Sequence, residues 1–130
     1  MIIGQALLSQ NSTTGNVYYS PWFPRGGNKA VFSCELIASA DTTNDIDAFN
    51  IEVETKNAED SDKDAVTLGS ANSITLGTDE NITSFESGAG LSSASQGFKE
   101  LARFKYTVTA KANGLAWVHF RMLHPSWLQG

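Results

Sequence analysis

ELARFKYTVTAKANGLAWVHFRML, residues 100–123, decides the fold. Strand side chains alternate between two faces, so Ala102, Phe104, Tyr106, Val108 and Ala110 share one face. Ala116, Val118, Phe120 and Met122 share a face in the second run. Lys111-Ala112-Asn113-Gly114 separates the runs, and the spacing predicts a hairpin. A two-residue Asn113-Gly114 turn would set Val108 beside His119 and mix apolar with polar. A three-residue loop, Ala112 to Gly114, sets Val108 opposite Val118 and Tyr106 opposite Phe120, with Gly114 expected at the left-handed position.

Outward from this stretch, the same alternation recurs. Lys29 to Ser39 predicts a strand with Ala30, Phe32, Cys34, Leu36 and Ala38 on one face. Asp47 to Lys56 predicts another, with Phe49, Ile51, Val53 and Thr55 inward and Asn50, Glu52, Glu54 and Lys56 on a wet face. Shorter strands are expected at Gln5 to Ser9, Val17 to Ser20, Ala65 to Leu68, Ser73 to Leu76 and Ile82 to Phe85. Asp41 to Asp45 reads as a turn whose side chains bond their own backbone, and Glu86 to Gly97 as a mobile loop anchored by Leu91. No long segment has helical periodicity. Seven or eight short strands with regular turns predict one antiparallel β-sandwich over residues 1–130, jelly-roll-like, with an immunoglobulin-like sandwich as the alternative. A short C-terminal arm is expected at about 124–130.

Composition fits that class. Hydrophobic residues make up 41% of the 130, enough for a core, while charged residues are only 18%. The net charge of −5 argues against direct nucleic-acid binding, which needs a basic footprint. No run approaches the roughly 20 apolar residues of a membrane helix, so no membrane contact is expected. Met1-Ile2-Ile3-Gly4-Gln5 lacks a basic n-region, so no signal peptide is expected and folding is assigned to a cytoplasm. Cys34, the single cysteine, lies on an apolar face and reads as an inert buried thiol.

Chemical motifs are few. Asp60, Asp62 and Asp64 open like a calcium loop, but Ala65 and Ala71 stand where an EF-hand needs glycine and glutamate. His119 and His124 have no serine elbow or zinc spacing around them. No enzyme activity, catalytic residue, metal or cofactor is therefore expected.

Surfaces carry the functional reading. In the hairpin register above, Lys105 would face Arg121, with Arg103 nearby. Like charges opposed across strands destabilise a sheet, so this basic stripe is either a solvated face with divergent side chains or a surface that an acidic partner covers. Nine of the fourteen acids lie between Asp41 and Asp64, which suits charge-matched contact within a subunit or between copies. Tyr18, Tyr19, Trp22 and Phe23 crowd one proline- and glycine-rich bend, Trp117 lies on an outer face, and Trp127 stands near the C-terminus. Exposed aromatics mark protein contacts or sugar-stacking platforms. The expected interface comprises Tyr19, Trp22, Phe23, Arg25, Arg103, Lys105, Trp117, Arg121, Trp127 and Leu128.

Four stretches together, Ser20 to Gly27, Lys56 to Asp60, Gly97 to Leu101 and Trp117 to Met122, resemble small β-rich structural proteins of tailed bacteriophages, especially capsid decoration or accessory proteins. The resemblance implies a non-enzymatic virion component, assembled in the host cytoplasm, that contacts its own copies as a homo-oligomer or a major capsid protein. A carbohydrate-binding sandwich using Tyr19, Trp22 or Trp117 is the alternative.

Overall fold

The computed structural model describes residues 5–11, 13–77, 80–88 and 97–128. The expected Leu91-anchored loop falls largely outside them. Ten strands follow in order: β1 (Gln5–Gln10), β2 (Asn16–Tyr19), β3 (Phe23–Pro24), β4 (Lys29–Ser39), β5 (Ile46–Lys56), β6 (Val66–Ser73), β7 (Asn81–Gly88), β8 (Leu101–Ala110), β9 (Ala116–Met122) and β10 (Ser126–Leu128). One 3-10 turn, Asp62–Asp64, interrupts them.

The strands form two antiparallel sheets. In the first, β1 pairs with β9, β9 with β4, and β4 with β7. β10 pairs with Lys29–Val31, on the edge of β4 that β9 occupies further along at Cys34–Ser39, because β7 fills the other edge. In the second, the order is β2, β8, β5, β6, and β3 continues the lane of β2 along β8. Counting each shared lane once leaves eight lanes, interleaved as β1-β9-β4-β7 and β2-β8-β5-β6. That is a jelly roll, two Greek keys folded face to face.

The long hairpin does not form. β8 belongs to the second sheet and β9 to the first, so the chain arches over the end of the sandwich. The inward faces are as the alternation predicts: Phe104, Tyr106, Val108, Val118, Phe120 and Met122 are all buried. They meet across the core rather than side by side; the Tyr106 and Phe120 rings pack edge to face at 5.0 Å. Gly114 is needed for a different reason from the one expected. Asn113 takes the left-handed conformation (φ 63°), whereas a Cβ on Gly114 would lie 2.6 Å from the Asp45 Cα. Lys111 N–H donates to the Asp45 carbonyl, tying the arch to the Asp41–Asp45 turn. That turn is as expected, with Asp41 accepting from Thr43 N–H and Asn44.

Aromatic rings fill the layer between the sheets. Phe32 packs edge to face on Phe104 at 5.0 Å, and Phe49 lies tilted against Phe120 at 4.9 Å. Phe23 closes on Phe104 at 5.4 Å. A fully buried Phe contributes about 1.5–3 kcal/mol, so these rings dominate the stability of the core. Gly69 (φ +75°) does not end a strand, as its place between two short runs suggested. It lies in a bulge within β6, where Val53 pairs with Leu68 and Ile51 with Asn72.

Candidate functional site: an aromatic and cationic cluster outside the second sheet

The site begins with a proline. Pro21 has no N–H to give a ladder, so the lane along β8 must break there. Ser20 covers the break. Its N–H donates to the Phe104 carbonyl and its hydroxyl oxygen accepts the Phe104 N–H at 2.8 Å. The chain rejoins β8 at Phe23, opposite Ala102, with the Phe23 ring in the core. Alternation then turns Trp22 outward, over the face of the second sheet.

There Trp22 meets residues from three elements. Arg103 on β8 stands opposite Glu54 on β5, and its Nε donates to Glu54 Oε1 at 2.8 Å. The guanidinium carbon lies 3.8 Å from the Tyr19 ring centre and 4.4 Å from that of Trp22. Lys56 Nζ sits 4.8 Å from the Trp22 ring. The 57–64 loop folds over this group. Asp62 Oδ1 accepts from Lys56 Nζ at 2.7 Å and from Trp22 Nε1 at 3.1 Å, while Oδ2 lies 3.6 Å from Arg103. Lys56 also donates to the Asp60 carbonyl. The Lys56 hydrogen bond, aided by the Trp22 and Arg103 contacts, holds the Asp62 carboxyl below its usual range.

The outer face of β5 is therefore not uniformly wet. Glu54 (8% exposed), Lys56 (7%) and Arg103 (9%) are all buried, Lys56 and Arg103 against Trp22 and Asp62. Alternation marks them as outward-facing but cannot show that something covers them. The three loop aspartates do not converge either. Asp60 accepts from Asn57 N–H and Asp64 from the Ser61 hydroxyl, while Asp62 turns to the sheet. Among the described residues no group of three or more His, Cys, Asp or Glu is placed to hold a metal ion.

Of the ten expected interface residues, Tyr19, Trp22, Arg103 and Lys105 come together on this face. Tyr19 is half exposed, and Lys105 lies within 3.9 Å of Glu52. The expected basic stripe is absent. Arg121 is on the opposite sheet, paired with Glu35, so Lys105 and Arg121 never oppose each other. The acidic block and the basic residues meet inside one subunit, through Arg103–Glu54, Lys56–Asp62 and Lys105–Glu52. Phe23 is a core residue, not a surface anchor. Arg25 is exposed, but its guanidinium donates to the Phe98 carbonyl at 2.7 Å and so secures its own chain.

The C-terminal arm is likewise part of the domain. Trp127, opposite Ala30 in the ladder, packs edge to face on Phe32 and Phe98 at 5.9 and 5.0 Å and lies over Gly26. Leu128 remains 44% exposed. Trp117 is half-buried on β9 against the core, away from the cluster. Glu54, Lys56 and Asp62 are the members that sequence reasoning missed as site residues; the even spacing of Glu54 and Lys56 on β5 is a signal for the first two, and none marks Asp62.

Away from the cluster a concavity of about 310 Å³ opens at the end of the sandwich beside Thr42, Asp47, Ser73 and Leu76. Its floor is formed by Ile46, Phe49 and Ile74. None of the expected interface residues reaches it.

No protein-family model matches the chain, and no curated protein matches it.

Proposed function

We propose that this chain is a non-enzymatic structural protein that acts by docking on other macromolecules: a phage virion component of the capsid decoration or accessory type. The observation that carries the proposal is the layered cluster on the second sheet. Tyr, Trp and Arg supply most of the energy at protein interfaces, and here all three are packed together in the isolated subunit. Arg103 is fixed by Glu54 and flanked by two rings, while Tyr19 keeps half its surface in solvent. A jelly roll agrees with this role, since viral capsid subunits use that architecture, although lectins use it too. Architecture alone does not choose between them.

The cluster favours a protein partner over a sugar. Carbohydrate stacking uses open aromatic faces, and Arg103 occupies one face each of Tyr19 and Trp22, leaving less ring surface for a sugar. Sedimentation velocity of the wild type and Tyr19→Ser, alone and with phage capsids, tests the proposal. Association by the wild type, with itself or with capsids, that weakens at least about tenfold in the variant supports it, tenfold being about 1.4 kcal/mol of anchor energy. A chain that stays monomeric, ignores capsids and shows saturable tryptophan fluorescence changes with glycans refutes it.

A further inference from the structure

The ion pairs around Asp62 are lopsided. The side chains of Lys56 and Arg103 are 9% and 10% exposed, whereas that of Asp62 is 61% exposed. In an ordinary buried pair both partners are enclosed. Here the two cations are shielded from water while the carboxylate that pairs with them is largely open to it. Glu54, at 11% side-chain exposure, is fixed beside Arg103 and balances one of the two positive charges. The other needs an anion, because an unpaired charge kept from water is costly. Trp22 Nε1 adds a neutral donor aimed at the same oxygen that Lys56 holds.

The segment that delivers Asp62 is lightly attached. The Asp62–Asp64 turn buries no residue, and Ser61 makes no side-chain capping bond to it. Several of its bonds stay within the loop: Asp60 N–H to the Asn57 carbonyl, Asn57 N–H to the Asp60 carboxylate, and Ser61 Oγ to Asp64. Apart from the cradle, a tie to the sheet side is Ala58 N–H to Glu100 Oε1. Those internal bonds survive if the loop swings outward as a unit.

We infer that Lys56, Arg103 and Trp22 form a carboxylate-binding cradle for an acidic segment of a partner protein, and that Asp62 occupies it as a built-in competitor in the isolated subunit. This deepens the assembly reading and rests on it in taking the partner to be a protein. The cradle recognises a carboxylate by a point charge from Lys56, a guanidinium edge from Arg103 and an indole N–H. The Tyr19 ring, half exposed beside Arg103, supplies adjoining apolar contact. A tethered competitor acts at millimolar effective concentration, so a partner carboxylate displaces Asp62 only when further contacts assist it. Binding then becomes selective for a partner that also covers Tyr19.

The test follows the Trp22 indole N–H resonance of Asp62→Ala during titration with an acidic peptide, Asp-Ser-Asp-Lys-Asp-Ala. Parallel titrations use the same peptide with asparagine for aspartate, and sodium acetate. The expected result is a saturable shift with the acidic peptide, at least about tenfold tighter than in the wild type. Little response is expected from the asparagine peptide, and loss of the shift on adding Lys56→Met. No saturable shift, or an equal response to the asparagine peptide, overturns the inference. A response to acetate alone would make free organic acids the ligand and overturn the protein partner. If Asp62→Ala fails to fold, Asp62→Asn replaces it; if neither folds, Asp62 is a structural strut and the inference falls. The titration reads a single subunit, so it fails or succeeds independently of the sedimentation result.

Discussion

Gly26→Ala should destabilise the protein in the wild-type background and stabilise it slightly when Trp127 is absent. Gly26 has no left-handed backbone requirement, so alanine is tolerated by the chain itself. The obstacle is the indole: a Cβ at Gly26 would lie 2.6 Å from both Cδ1 and Cγ of Trp127. Only a change of χ1 moves Cγ, and that swings the whole indole off Phe32 and Phe98; otherwise β10 must lift. Removing a fully buried Trp costs about 3–5 kcal/mol, and Trp127 is half-buried, so Trp127→Ala should cost about 2–3 kcal/mol. Gly26→Ala forfeits much of the same contact, about 2 kcal/mol. In the Trp127→Ala background the clash is gone, and alanine's smaller unfolded-state entropy should give a gain of about 0.4–1 kcal/mol. Urea denaturation followed by circular dichroism, with unchanged m-values, measures all four corners of the cycle. Equal costs of Gly26→Ala in both backgrounds would refute the assignment of Trp127 to its own domain.

Gly114→Ala should cost about 2–3 kcal/mol, because its Cβ would meet Asp45 backbone that cannot step aside, whereas Asn113→Gly should change stability by under about 0.5 kcal/mol; a Gly114→Ala cost in urea melts no larger than that of Asn113→Gly would refute the close approach of Gly114 to Asp45. The Lys56 hydrogen bond depresses the Asp62 carboxyl in the fold, so its stabilisation is complete above the ordinary aspartate value, about 3.9, and is lost as pH falls through the lower native value. Asp62→Asn should therefore flatten the acid limb of the stability–pH curve below about pH 4, and an unchanged limb would remove Asp62 from the network. Burial, then the nearby Glu35 charge, pushes the Cys34 thiol up to about 12, so thiol reagents at neutral pH should label it only as fast as the protein opens. Rapid stoichiometric labelling of native protein would contradict its place in the core.

Alternation settled which residues face inward before any strand had a neighbour. Phe32, Cys34 and Leu36, Phe49, Ile51 and Val53, and the alternate apolar residues Phe104, Tyr106, Val108, Val118, Phe120 and Met122 are buried as their period predicts, whereas Ala38, past the bulge that follows Leu36, is only partly buried. Their chemistry leaves no choice, since one face of each strand must leave water. Period two says nothing about which strand lies beside which. Val108 and Val118 share an interior whether their strands pair in one sheet or face each other across two, and only the second occurs. The Asp45 backbone pressed against Gly114 and the Lys111–Asp45 hydrogen bond accompany that arrangement, and neither is visible in residues 100–123. Long-range pairing likewise put Glu52 and Glu54 beside Lys105 and Arg103, neutralising charges that local reading left opposed. The sequence by itself determined an all-β sandwich and its interior. Tertiary structure decided which sheet each strand joined, which charges met and which outward side chains were covered, because those depend on contacts between residues distant in the chain.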